Sequence, residues 1–364
     1  MTRADLPVYA WVTGQQTNIG DSLLRRPYLR LLSGLGSTDV WVRNSTDAFL
    51  SGVEIDDVSK VSRRFSTWWL RAMLSAIRRP TVVAVNAGEV PDGRAAVVAG
   101  VALAVLTRLA TLRGGQGLWL GGSVPSTRSP AVQRVYRALA SSSSIVSWRE
   151  QASQSAMGVG SLQPDWGFGE GTDVAEWPDG ERRAIAIVMR GDREPPTPEW
   201  LRWVKDLAAT HELSVHTVVQ VEADNDLAEE IAEQLGGSCM NWSPGADHAT
   251  QEERARRLYR TCLITVGDRL HGLVAAATEG SVPLGWVPSS RGKIAAHFSV
   301  IGIDWVGAYE GDRFGERPTL TPDLVQNYVG DVRRAIADAR HSLQVISGEV
   351  RGAVGRDKEV EASE

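Results

Sequence analysis

Lysine is almost missing from this chain, with four residues against 35 arginines. Nearly every basic group is therefore a permanent charge on a planar fork, a shape suited to carboxylate or phosphate. Cysteine is scarcer still. Cys239 and Cys262 are the only two, both in apolar or strand-like surroundings and without a C-x-x-C pair. That argues against a disulfide framework or a zinc site and suits a reducing cytosol. The six histidines are scattered with no ligand spacing, so no metal is expected. Long apolar runs are also lacking. The longest uncharged one, Ala95 to Thr107, falls short of the about 20 residues a bilayer crossing needs and reads as a buried helix. Met1 to Pro7 has no signal-peptide core, and a cytoplasmic protein is expected. A net charge of −5 gives no whole-protein argument for nucleic acid.

What remains is an ordinary soluble composition, 43% apolar and 23% charged over 364 residues, enough for two domains with their own cores. Strand-like runs at Val8–Val12, Asp39–Val42, Thr81–Val85, Gly117–Leu120 and Ser144–Val146 alternate with helix-like stretches at βαβ spacing. Gly, Pro and Asp crowd the stretch from Leu162 to Arg182, which reads as a linker. Alternation restarts at Arg183–Met189 and runs through strands at Ser214–Val219, Cys262–Val266 and Ser281–Trp286. The expected organisation is a first domain over 1–170, a second over 171–320, a C-terminal helix over 321–352 and a charged, disordered tail over 353–364. Arg63 to Arg79 mixes Trp68 and Trp69 with arginines. Such a helix either packs on a sheet with a solvated basic face or lies at a membrane surface.

Three stretches carry chemistry. Cys262–Val266 is followed by Gly267-Asp268-Arg269-Leu270-His271-Gly272 and an Ala-rich helical segment, so an arginine and a histidine sit where a strand turns into a helix. In α/β folds that edge binds ligands, and the helix start favours anions. Arg149 follows the strand before it in the same way, within Ser147-Trp148-Arg149-Glu150-Gln151-Ala152-Ser153, and Arg190 follows a third strand. Thr17-Asn18-Ile19-Gly20-Asp21 makes a strand-to-helix turn without a dinucleotide G-x-G-x-x-G. Lys293 falls in a flexible loop, Pro288 to Gly292, after the next strand. On pattern alone, a capping histidine with solvated bases explains the second-domain stretch as well as a ligand site does.

Gly267–Gly285, with Thr17–Asp21 and Ser147–Ser153 in that order, resembles the polysaccharide pyruvyl transferases over about Tyr9 to Phe298. The resemblance implies two Rossmann-like domains facing a cleft, GT-B-like, with the C-terminal helix packing across them. It implies transfer of pyruvate from phosphoenolpyruvate to a sugar, or a lipid-linked oligosaccharide, as a cyclic ketal, with no cofactor. By the same resemblance Arg149, His271 and Lys293 are catalytic, His271 as general acid/base, and Arg269, Leu270, Asn18, Gly20 and Asp21 contact substrate; Arg190 joins the substrate contacts by its place at a strand's carboxyl end. A lipid-linked acceptor would make peripheral membrane association an expectation as well. Two rivals stay open: a glycosyltransferase using a nucleotide sugar, and a non-catalytic sugar-binding protein of an assembly complex.

Overall fold

Short buried strands separated by helices leave each strand parallel to its neighbour, because the chain passes between paired strands through a helix lying on one sheet face. The computed structural model describes residues 6–55, 59–178, 181–286, 292–309 and 319–360, the side chains of 308, 309 and 356–360 excepted. The first unit holds β1 (Pro7–Trp11), α1 (Ile19–Ser33), β2 (Ser37–Trp41), α2 (Asp47–Val53), β3 (Lys60–Ser62), α3 (Phe65–Arg78), β4 (Val82–Ala84) and β5 (Gly88–Glu89). It continues with α4 (Arg94–Leu112), β6 (Gln116–Ser123), α5 (Pro130–Ser142), β7 (Ile145–Trp148), α6 (Gln151–Met157) and β8 (Ser161–Leu162). Its sheet runs in the order β3-β2-β1-β4-β6-β7-β8, with β5 beside β6.

The second unit begins at β9 (Ala184–Val188) and passes through α7 (Pro198–Thr210), β10 (Ser214–Val218), α8 (Asn225–Leu235) and β11 (Ser238–Met240). There follow α9 (His248–Tyr259), β12 (Cys262–Gly267), α10 (Leu270–Ala277), β13 (Val282–Gly285) and α11 (Lys293–Ser299). Its sheet has the order β11-β10-β9-β12-β13. The architecture is two Rossmann-like units facing a cleft, GT-B-like as expected. The strands missed in sequence are β3, β5, β8 and β11, each of two or three residues and too short to show a period.

Helix α12 (Pro322–Val360) crosses both units: Val325 joins the core of the second sheet, while Leu343 and Val350 join that of the first. It runs past residue 352, where the sequence reading ended it, so the stretch from 353 to 360 is helix rather than tail; 361–364 lie outside the described residues. The first sheet is sandwiched. Leu24, Tyr28 and Leu32 of α1 cover one face, and Trp68, Leu103, Leu106 and Tyr136 from α3, α4 and α5 cover the other.

Helix α4 corrects a second expectation. Ala96, Gly100, Leu103, Leu106, Thr107 and Ala110 are buried, yet Val98, Val101, Val105 and Leu112 on its opposite side are exposed. Over Ala95 to Leu106 it is one-sided in burial though apolar all round.

The two units share a seam. Ile19 and Leu23 of α1 pack into the second unit's core with Ala184, Ala186 and Ala275. Ile19 N donates to Gln220 O and Glu222 N to Thr17 O, so the turn opening α1 pairs with the turn after β10.

Candidate active site

The cleft between the sheets has a volume of about 1510 Å³ and is lined from both units, by Asn18, Asp21 and Arg149 on one side and by Arg269, His271 and Lys293 on the other. The carboxyl edges of β1 and β7 deliver the first three, and those of β12 and β13 deliver the rest, as parallel-sheet topology requires.

Arg149 is 3% exposed and donates from Nη1 to Asp165 Oδ2 at 2.7 Å. The same Nη1 stands 3.4 Å from Nε2 of His271, across the seam between the units. Asp165 Oδ2 is 3.5 Å from that Nε2 as well. Burial alone would raise the Asp165 carboxyl, but the charges of His271 and Arg149 outweigh it and hold the group well below its ordinary range. Asp165 also caps its own turn, accepting from Gly167 N at 2.9 Å, so its carboxylate is fixed from two directions. The three residues make a compact cation–anion–imidazole cluster.

His271 lies in the first turn of α10 and is backed by the first unit. A Cβ on Gly20 would lie 2.7 Å from His271 Cβ and Nδ1, so only glycine lets α1 approach this closely. Asn18 caps α1, accepting from Gly20 N at 3.0 Å and from Gln220 Nε2 at 2.9 Å. Asp21 accepts from Gln15 N and Arg25 Nη1; those contacts and His271 outweigh burial and lower its carboxyl. The Thr17–Asp21 turn thus acts on His271 by packing and capping.

The remaining residues divide. Arg269, the residue preceding α10, grips Asp224 through Nε and Nη2, and its fork is already filled by that carboxylate. Arg190 is likewise paired with Asp192, through Nε at 2.9 Å and Nη2 at 2.7 Å. Leu270 lines the cleft and belongs to the apolar cluster of Phe168 and Ile294. Lys293 is not a loop residue: it opens α11, while 287–291 lie outside the described residues. Its Nζ reaches across the cleft to Glu89 Oε2 at 2.6 Å, and Arg128 holds the other oxygen of Glu89. Half-exposed pairs of this kind are worth little, so an anion can exchange for Glu89 at small cost.

Sequence reasoning missed two members. Asp165 sits in the Gly/Pro/Asp stretch read only as linker. His297 in α11 is fully buried; burial, reinforced by Arg149, pushes its imidazole down to about 3. A neutral ring whose Nδ1 faces Lys293 O at 2.7 Å presents Nε2 as an acceptor, and Nε2 has no partner. Arg149 Nε is a buried donor without one. No spacing in the sequence points to either.

Comparison with known proteins adds the family. A family model for polysaccharide pyruvyl transferase matches residues 18–280. No curated protein matches in sequence. Among solved structures, UDP-GlcNAc 2-epimerase from Neisseria meningitidis, bound to UDP-GlcNAc, aligns with a TM-score of 0.57 at 9% identity, over 94% of this chain and 99% of that one. The Anabaena protein HepE, in complex with UDP, aligns with a TM-score of 0.50 at 11% identity, over 98% of this chain and 99% of that one. At these identities the likeness concerns the fold alone.

Proposed function

Since this chain belongs to the polysaccharide pyruvyl transferase family, we propose that it moves pyruvate from phosphoenolpyruvate onto two hydroxyls of a sugar, forming a cyclic ketal and releasing phosphate. The observation that carries this reading is the 3.4 Å approach of Arg149 and His271 from opposite units, with Asp165 beneath both. Phosphoenolpyruvate needs cations for its carboxylate and phosphate, and a proton for its methylene carbon. Arg149 and Lys293 supply the cations, since Arg269 is committed to Asp224 and acts by lining and orienting. His271 supplies the proton.

Protonation at the methylene carbon leaves an oxocarbenium-like centre at the neighbouring carbon. One sugar hydroxyl adds there, phosphate departs with the C–O electron pair, and the second hydroxyl closes the ring. The hydroxyl protons pass to the conjugate base of His271 and to the departing phosphate. Asp165, 3.5 Å from Nε2, orients the imidazole throughout.

Arg149→Lys keeps the charge but loses the planar fork, and it should weaken phosphoenolpyruvate binding by about 1.5–3 kcal/mol. Calorimetry checks this; unchanged affinity would remove Arg149 from the donor site. Gly20→Ala should push His271 off its position and lower kcat by at least about tenfold with donor affinity kept. An unchanged kcat would show that the imidazole tolerates the displacement. The donor itself is tested by thermal protection. Phosphoenolpyruvate should raise the unfolding temperature and UDP-GlcNAc, the ligand of one structural neighbour, should not. The reverse would make a nucleotide-sugar transferase the better reading.

A further inference from the structure

From Val58 to Arg149 the chain carries thirteen Lys and Arg against two acids, Glu89 and Asp92, a net of +11 inside a protein of −5 overall. This segment contains α3, α4 and α5, the helices on the outer face of the first sheet. Neither α3 nor α4 holds an acidic residue.

The same face exposes apolar side chains in register. On α4, Val98, Val101, Val105 and Leu112 are 67%, 48%, 51% and 65% exposed, at the three- and four-residue spacing of one helix side. On α3, Leu70, Leu74 and Ile77 are 54%, 41% and 48% exposed. The helices lie side by side: Trp69 Nε1 donates to Ala102 O at 2.8 Å, and Arg113 Nη2 to Ile77 O at 2.7 Å. Exposed Arg64 and Arg78 stand at the two ends of α3, Arg94 and Arg113 at the two ends of α4, and Arg108 fills the step between Val105 and Leu112. A large apolar patch with a basic border marks an interaction site.

We infer that this α3–α4 face docks on an anionic lipid bilayer and feeds the cleft with an acceptor sugar carried on a lipid. Charge selects the occupant. A second copy placed face to face would set two arginine borders against each other, and nucleic acid gives no reason for seven exposed aliphatic side chains. A bilayer takes both, apolar residues at the acyl boundary and arginines among anionic headgroups. Continuity selects the cargo. Phe65, Arg94, Ala95, Val98 and Ala99 line the same cleft as Arg149 and His271, so the patch runs into the mouth of the site. The cargo half of the inference rests on the pyruvyl-transfer reading; the docking half does not.

The test is flotation of the full chain with phosphatidylcholine vesicles, plain or with about 30% phosphatidylglycerol. Wild type should float with the anionic vesicles and stay behind with the plain ones. Val101→Asp with Val105→Asp should abolish flotation, and Arg78→Glu with Arg108→Glu should weaken it by about fivefold or more per arginine. None of these four residues lines the cleft, so phosphate release with a soluble glycoside should stay unchanged, which also shows that the variants fold. Their release with a lipid-anchored glycoside in anionic vesicles should fall by at least about tenfold. The inference is overturned if wild type stays behind with both vesicles, if it is retained by duplex DNA instead, if the face drives self-association without flotation, or if the variants float like wild type. Flotation without pyruvate transfer to either glycoside would keep the docking and sink the pyruvyl reading; transfer in solution without flotation would do the reverse.

Discussion

His271→Ala is expected to cut turnover by about 10²- to 10⁴-fold while leaving phosphoenolpyruvate affinity close to wild type. The split follows from the division of labour in the cleft. In the proposed reaction the imidazole moves the proton, and Arg149 and Lys293 hold the donor's two acidic groups. Alanine removes the ring without touching the Arg149–Asp165 pair, which stands on its own 2.7 Å hydrogen bond. Steady-state kinetics beside calorimetric donor binding checks both halves. A variant keeping more than about a tenth of the wild-type rate would end the acid/base assignment. A collapse of donor affinity would instead make His271 a binding residue.

Arg26→Ala should destabilise the fold by about 3–5 kcal/mol, the largest stability effect expected of a single change in this protein. Arg26, in α1, is 7% exposed and holds two carboxylates at once: Glu170 of the inter-unit segment through Nε at 2.7 Å, and Glu252 of α9 through Nη1 and Nη2 at 2.9 and 2.7 Å. The chain of charges continues from Glu252 to Arg256 at 2.8 Å and from Arg256 to Glu279 at 2.8 Å. Burial would raise the Glu252 carboxyl, but Arg256 and Arg26 outweigh it and keep it low. Deleting Arg26 leaves buried anions facing one another where the two units meet behind the cleft. Denaturant unfolding measures the loss. A change below about 1 kcal/mol would mean that water or Arg30 replaces the missing charge.

The main site residues were legible because their positions follow from topology. Arg149 follows β7 and Arg269 follows β12, with His271 in the first turn of the next helix, and the carboxyl edges of the two parallel sheets face the same cleft. Lys293 lines the cleft from a helix rather than a loop, since it opens a seven-residue helix too short to show a period. Partners were not legible. Asp165 meets His271 over a separation of 106 residues, and Asp224 reaches Arg269 over 45. Asp165 read as loop composition, and no spacing in the sequence ties Asp224 to Arg269, whose fork it fills. Helix α4 failed for a different reason. A helix apolar all round reads as buried, because burial is what apolar surface ordinarily gains from folding. Here one side gains it from the sheet and the other is left bare at the mouth of the cleft.

The most direct measurement is phosphate release from phosphoenolpyruvate in the presence of a panel of glycosides, with the products weighed by mass spectrometry. Pyruvyl transfer predicts release that depends on both partners, and a glycoside heavier by one pyruvate less one water. Phosphate release without a modified sugar, or no release with any acceptor while a nucleotide sugar is consumed, would contradict it.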